Sequence, residues 1–575
     1  MRISSISMIL LFAFIISSRG YPQSKYPMNY FRSPVDFGIF LAGSFGEIRM
    51  NHFHSGIDIR TEGVTGKPVR AVADGYVQRI NISHTGFGKA IYIRHPNGFT
   101  SVYGHLERFN PKIWAWTRAE QYRQESFALD ISVQPGVLPV KKGDIIAYSG
   151  NSGASGGPHL HFEIRDAGTQ ETINPLLFGL SVKDFVPPKI YSIRIYPFDN
   201  NSLVNFADNP LTIEVFGDNG QYFIKSKDTV KVSGNIIFGI ETFDYLNDSE
   251  LRTGTTTIEL RVDTIKYFSQ TLERFAFAET RYVNSIIDYP TFIRSGKKIQ
   301  RSYVAPNNKM SIYNKLVHKG VVNFVDSKPH KVQYIVKDVF GNESELSFWV
   351  KSHPPPPVGR FVERKPAGTL FSCKSDNRFA NNDLVFELPD DALYEDLDFI
   401  YSSSEPLHGG YSKVHHLQNE STPIQSLCNL SIKTAGLPKN LESKAVIVKV
   451  EGISKYSSRG GKWESGFIKT QVKEFGDYMV MADTIPPVIR PVNVSPGKRV
   501  SKQSSIKIKI YDNLSGIKSY RGTINGKWIL MDYDAKNQLL TYAFDDRIHP
   551  GKNEFILTVK DNVGNEAVFK ASLMK

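Results

Sequence analysis

The chain has 575 residues, 41% of them apolar, and a formal charge of +13. That apolar content excludes a disordered chain, and the length asks for three to five domains, each large enough to bury its own core. The positive charge is spread along the sequence without a dense Lys/Arg run, which argues against nucleic acid as a partner and for attraction to anionic wall polymers or membrane surfaces.

At the N-terminus Arg2 precedes an apolar run from Met8 to Ile16 and then Ser18-Arg19-Gly20, a small-x-small cleavage candidate. Residues 1–20 read as a secretory signal peptide. The run is too short to span a bilayer comfortably and no second hydrophobic stretch follows. We therefore expect an exported protein (periplasmic, envelope-associated or extracellular) with no transmembrane helix after cleavage. No cysteine near the cleavage site offers a lipid anchor.

Frequent Val, Ile, Tyr and Phe with regular Gly/Asn/Asp punctuation predict a mostly β protein. Residues 21–45 form an extended lead-in, with a strand at 37–41. The stretch from Val69 to Val77 is two strands about an Asp-Gly turn, and Ala90–Arg94 with Phe99–Tyr103 flank His95-Pro96-Asn97-Gly98 as a hairpin. His95 reads as a solvated turn residue. From Glu107 to Leu138 the strand rhythm stops. Ile113, Trp116, Ala119 and Tyr122 recur at helical spacing, which predicts a short helix inserted near 108–138. It either covers core or walls a substrate groove, with Trp114 or Trp116 as contacts. Strands resume at Val140–Tyr148, and Ile173–Phe178 closes this first domain, residues 21–180.

Half of the 14 histidines lie between His52 and His161, about a fifth of the chain. Within Gly157-Pro158-His159-Leu160-His161-Phe162-Glu163-Ile164, the apolar residues alternate at period two, so His159 and His161 share one face of a strand. His54 with Asp58 offers an imidazole and a carboxylate, and Tyr103-Gly104-His105-Leu106 offers another imidazole after a strand. Two imidazoles and one carboxylate give zinc three protein bonds and leave a fourth position for water, whose pKa falls to about 7. Histidine can handle protons and stabilise an oxyanion beside such a site.

Beyond residue 180 the pattern becomes short strands with long polar loops. Asp338-Val339-Phe340-Gly341-Asn342-Glu343 and Asp561-Asn562-Val563-Gly564-Asn565-Glu566 repeat an Asp-x-x-Gly-Asn turn between strands, which suggests duplicated β-sandwiches resembling bacterial immunoglobulin-like domains. Pro354–Pro357 and Asp483-Thr484-Ile485-Pro486-Pro487 mark boundaries, giving sandwiches at 181–352, 353–484 and 485–575. Cys373 and Cys428 can form one disulfide in an oxidising compartment and are poor metal ligands. The adjacent pair His415-His416 would face opposite ways in a strand and reads as a surface feature.

Taken together, His54-x-x-x-Asp58, Tyr103-Gly104-His105-Leu106 and Gly157-Pro158-His159-Leu160-His161-Phe162-Glu163 resemble the M23 family of zinc metallopeptidases, the LytM or lysostaphin-like peptidases, over about residues 38–178. The resemblance implies an antiparallel-β peptidase domain ahead of the tandem sandwiches, Zn2+ as cofactor, His54, Asp58 and His161 as its ligands, and His105 and His159 as the unligated catalytic pair. Their individual roles stay shared. His52 copies the later His-x-His triplet, but only His54 has an aspartate four residues on. Glu163 reads as a support for a ligand rather than the base. The resemblance further implies an endopeptidase acting on peptidoglycan stem peptides or cross-links, with an envelope protein partner through the sandwiches as an additional expectation. A noncatalytic wall-binding regulator or scaffold, and a peptidase acting on a protein, are the alternatives.

Overall fold

The computed structural model describes residues 25–225, 229–247, 249–354 and 368–575. The expected signal peptide and most of the Pro354–Pro357 linker lie outside these residues. The fold is mostly β, with predominantly antiparallel sheets.

The N-terminal domain contains β1 (Leu41–Gly43), β2 (Ile48–Arg49), β3 (His52–Phe53), β4 (Ile57–Arg60), β5 (Pro68–Arg70), β6 (Gly75–Ile82), β7 (Lys89–Arg94), β8 (Phe99–Gly104), β9 (Arg108–Phe109), α1 (Pro111–Gln124), β10 (Leu129–Ser132), β11 (Pro139–Val140), β12 (Ile145–Tyr148), β13 (His159–Asp166) and β14 (Thr172–Ile173). Its main sheet runs β1-β4-β13-β8-β7-β6-β10, and a smaller sheet runs β5-β12-β9. Strand β13 is central because its alternation works on both sides: Leu160, Phe162 and Ile164 are fully buried, joining Ile57, Ile59, Val69, Ile91, Ile93 and Tyr103 in one core. The hairpin of β7 and β8 forms as the turn at 95–98 predicts.

Helix α1 lies within the 108–138 insertion, with Asn110 capping Ile113 N and proline in the first turn. Its buried face is Ile113, Thr117 and Gln121, whereas Ala119 is exposed and Trp116 and Tyr122 are half-buried. The apolar spacing named a different stripe because polar groups turn inward: Thr117 donates to Ile113 O and Gln121 to Phe127 O, so both are buried with partners. The strand rhythm does not stop throughout 107–138, since β9 and β10 each pair with the sheets.

Three further expectations are corrected. His95 is buried, not solvated, because its Nδ1 bonds Asp74 O at 2.8 Å and its Nε2 bonds Ser101 Oγ at 2.7 Å. His415 is likewise buried, against the Tyr401 hydroxyl at 2.9 Å, while His416 faces Asp477 at 2.8 Å. Cys373 and Cys428 are buried free thiols and form no disulfide. Burial pushes the Cys428 thiol up to about 12, so it is an inert core residue.

Downstream, residues 189–352 build a 12-stranded arrangement, residues 369–482 contain two five-stranded sheets, and residues 488–574 contain two four-stranded sheets. These parts are not strung out from the first domain. Strand β14 pairs with Arg274–Phe275, and Phe45, Ile48 and Phe53 share a core with Phe275, Tyr282, Val283 and Ile286. The last 90 residues fold back onto α1: Tyr122 and Arg118 bond Asp545, and Lys89 pairs with Asp532 at 2.6 Å.

Gly56, immediately before β4, has no room for a side chain, since a Cβ would stand 2.3 Å from Phe162 O and 2.8 Å from Glu163 Cγ. Gly56→Ala should therefore cost about 1–3 kcal/mol and speed hydrogen exchange at the amides of β4 and β13. Gly156→Ala, whose Cβ would meet nothing within 4 Å, should stay within about 0.5 kcal/mol of the parent.

Candidate metal centre

The antiparallel pairing of β4 with β13 sets Asp58 opposite His161. The turn before β4 brings in His54, through Gly46 N to His54 O and His54 N to Glu47 O, both 2.9 Å. Three atoms converge as a result. His161 Nδ1 lies 2.9 Å and His54 Nε2 lies 3.1 Å from Asp58 Oδ1, and the two nitrogens are 3.0 Å apart. All three side chains are buried.

The remaining ring nitrogens are committed elsewhere, which fixes how each imidazole presents itself. His54 Nδ1 donates to Ser44 O at 2.8 Å, leaving the Nε2 lone pair toward the cluster. His161 Nε2 donates to Glu163 Oε1 at 3.0 Å, leaving Nδ1. Glu163 is itself fully buried and held by Ser55 Oγ and by Arg165, whose Nε and Nη2 both lie at 2.6 Å. Burial alone would raise the Glu163 carboxyl, but Arg165, His161 and Ser55 hold it at about 2. Glu163 thus orients a ring from beneath, as the sequence suggests, and does not face the cluster.

Two imidazole lone pairs and a carboxylate oxygen within about 3 Å of one another repel unless a cation lies among them. Burial opposes a proton on His161, yet Asp58 and Glu163 together raise it to about 9. Burial holds His54 down at about 4, while its neighbours hold Asp58 well below the usual carboxylate range despite burial. A nitrogen- and oxygen-donor set with each imidazole supported on its far side fits zinc.

His105 and His159 border the same volume. His105 directly follows β8 in the left-handed region (φ 58°), and its ring lies 4.8 Å from His159 and 5.8 Å from His161. Its Nδ1 donates to Ser152 O at 2.8 Å, and burial lowers it to about 3, so it is neutral at pH 7. His159 Nδ1 donates to Gly157 O at 2.8 Å, which leaves Nε2 3.4 Å from Asp58 Oδ1. Each ring therefore keeps one nitrogen for a proton. His52 stands apart, exposed and bonded to Met50 O.

Several groups around the site carry no motif in the sequence. Arg49 lies 2.7 Å from Asp58 Oδ2, and Phe87 stacks on His161 at 4.8 Å. The loop from Ser149 to Ser155 is tied to β7 by Ser152 Oγ, which accepts from Lys89 N and donates to Leu106 O. Gly153 is required there, because a Cβ would stand 2.3 Å from Gly88 N. From the other side Lys536 of the C-terminal sheets donates to Asn151 and to Ser155 O. A cavity of about 500 Å³ opens between this loop and those sheets, lined in part by Glu107, Trp114, Ser152, Leu530 and Tyr533. Trp114 therefore lines a cavity next to the site, while Trp116 packs on the core.

The profile of peptidase family M23 matches residues 52–121 and 127–175, and a Zu5-like domain profile matches residues 368–483. The DD-carboxypeptidase/endopeptidase Mpg of Neisseria meningitidis serogroup B is 32% identical over 154 residues, covering 27% of this chain and 28% of that protein. The murein hydrolase activator NlpD of Salmonella dublin is 30% identical over 156 residues, covering 27% of this chain and 33% of that protein. The chain thus spans about a third or less of the length of these curated relatives. Among solved structures, the catalytic domain of the prophage-encoded M23 protein EnpA from Enterococcus faecalis is 27% identical, with 24% of this chain and 93% of that chain covered and a TM-score of 0.19. The N-terminal domain of this chain, at residues 52–175, belongs to peptidase family M23.

Proposed function

We propose that the chain is an exported zinc endopeptidase that hydrolyses peptide bonds in peptidoglycan stem peptides or cross-links. His54, Asp58 and His161 hold the metal, and His105 and His159 handle protons. The observation that carries this reading is the convergence of His54 Nε2, Asp58 Oδ1 and His161 Nδ1, with the far nitrogen of each imidazole already engaged. The peptidoglycan substrate is supported by the named activities of the two relatives.

Zinc held by His54, Asp58 and His161 would supply Lewis acidity at the scissile carbonyl and toward the attacking water. The rest is done by the chain. His105 and His159 flank the ligands, and with Nδ1 of each donated to a backbone carbonyl, Nε2 is the atom that takes or returns a proton and donates to a developing oxyanion. Glu163 keeps His161 in the tautomer that presents Nδ1. The cavity beside Trp114, between the loop bearing Ser152 and the C-terminal sheets, offers a branched peptide a place to bind. We read residues 21–180 as the catalytic unit, 181–352 and 485–575 as immunoglobulin-like sandwiches and 353–484 as a further β-sandwich carrying the Zu5-like match, the three serving as spacers or docking on the wall or on an envelope partner.

A second reading, a noncatalytic regulator of other wall enzymes, is favoured by the similarity to an activator and by the contacts of Lys536 with the loop beside His159. Digestion of purified peptidoglycan sacculi by residues 21–575, with fragments identified by mass, separates the two. The enzyme reading expects uncrosslinked stem peptides from the parent, and a fall of about 10²–10⁴-fold in release for His105→Ala or His159→Ala with one zinc per chain retained. Absence of release from zinc-loaded parent protein, or unchanged release from both variants, would contradict it. Glu163→Gln, which keeps an acceptor but removes the charge beneath His161, should weaken zinc binding about 10–100-fold in a chelator competition. Unchanged affinity would remove Glu163 from the account.

A further inference from the structure

Away from the histidines, two clusters of three aspartates occupy corresponding places in two different β units. In the first, Asp184, Asp244 and Asp338 are all buried, with one oxygen from each within 4.8 Å of the others. In the second, Asp483 and Asp561 are buried and Asp512 is half-buried, at the same spacing.

The correspondence is one of sequence and of bonding. Asp184 and Asp483 each stand three residues before a Pro-Pro pair, Asp244 and Asp512 each follow an aromatic residue at the end of a strand, and Asp338 and Asp561 open the repeated Asp-x-x-Gly-Asn turn. Asp338 Oδ1 accepts from Phe340 N and Asn342 N, and Asp561 Oδ1 accepts from Val563 N and Asn565 N. Asn342 Nδ2 donates to Asp338 Oδ2 and Asp184 O, as Asn565 Nδ2 does to Asp561 Oδ2 and Asp483 O. The turn therefore ties each sandwich to the segment that enters it.

Oxygens are left over. Asp184 Oδ1 accepts from Val186 N and Asp244 Oδ2 from Thr253 Oγ1, but Asp184 Oδ2 and Asp244 Oδ1 are buried with no hydrogen-bond partner. Both residues are at least nine-tenths buried, 5% and 4% exposed. In the second cluster Asp512 Oδ2 accepts from Leu514 N and Gly516 N, whereas Asp512 Oδ1 and the neighbouring Ser515 Oγ have no partner. No lysine or arginine bonds any of the six carboxylates among the described residues. Burial and the neighbouring carboxylates push Asp244 up to about 8 and Asp184 up to about 6. Three buried carboxylates at this spacing need protons or a cation among them.

We propose that each aspartate triad is a calcium site, in which the ion bridges the three carboxylates and clamps the Asp-x-x-Pro-Pro entry segment to the base of its sandwich. The donors are all hard oxygens with no imidazole or thiolate, which selects calcium or magnesium over zinc. Calcium accepts irregular oxygen cages completed by carbonyls and water, whereas magnesium demands a near-ideal octahedron and sheds water reluctantly. Asp184 lies just past the peptidase domain and Asp483 at the end of the Zu5-like match, so both ions would sit at junctions between units.

The test is calorimetric titration of calcium into the dialysed full chain, with bound metals counted by elemental analysis. Two calcium ions per chain are expected, one each for Asp244→Asn and Asp512→Asn, and none for the double variant, with zinc content unchanged throughout. Magnesium at the same concentration should not replace them. A folding failure is distinguishable: in calcium-free buffer Asp244→Asn relieves carboxylate repulsion and should melt no lower than the parent, while losing the calcium-dependent rise in melting temperature at that domain. A parent that binds no calcium at millimolar concentration, or a double variant that still binds two ions, would overturn the proposal.

Discussion

His161 is held between two carboxylates, Asp58 on one ring nitrogen and Glu163 on the other, and this arrangement depends on the register of a single strand pair. With His161 opposite Asp58 across β13 and β4, the buried side of the pairing carries Leu160, Phe162 and Ile164 into the core and leaves the imidazole among polar partners. A slip of one residue would exchange those faces, placing histidines in the core and isoleucine at the site. The large apolar side chains thus fix the site by making the alternative register costly. Gly56 belongs to the same constraint, because only the absence of a side chain allows the turn carrying His54 to lie against Phe162.

From that pairing the support spreads outward in two directions. Toward the second unit, the hairpin of β2 and β3 is packed into a core shared with Phe275 and Tyr282, and Phe53 N donates to Thr280 Oγ1 at 2.7 Å. Toward the C-terminus, the loop bearing Ser152, whose carbonyl orients His105, is held by Lys536. The β sheets downstream are therefore part of the environment of the histidines and of the cavity beside them, not only a tail. The two aspartate triads would then act at a distance, setting how the entry segments leave the neighbouring units.

Strand periodicity makes the shared face of His159 and His161 legible in the sequence, while the grouping of His54, Asp58, His105, His159 and His161 is carried by the resemblance to peptidase family M23. His159 and His161 at period two, and Asp58 at a fixed distance from His54, are properties of the local chain. What could not be read was decided by partners far away in sequence. His95 and His415 look like turn and surface residues until their rings are seen against Asp74 O, Ser101 and Tyr401. The buried face of α1 departs from the apolar spacing because Thr117 and Gln121 go inward, Thr117 Oγ1 donating to Ile113 O and Gln121 Nε2 to Phe127 O. Ser44 and Ser152 act through backbone carbonyls, which leave no trace in residue type. The repeated Asp-x-x-Gly-Asn turn was visible, but its meaning required Asp184 and Asp244, more than 90 residues upstream of Asp338.

The ligand set itself can be measured directly by zinc K-edge X-ray absorption on the full chain loaded with one equivalent of zinc. The account predicts two imidazole nitrogens at about 2.0–2.1 Å with the remaining scattering from oxygen, and the loss of one imidazole in His161→Ala but none in His105→Ala. A shell of three or four imidazoles, which would draw His105 or His159 onto the metal, or a shell with no imidazole at all, would contradict it.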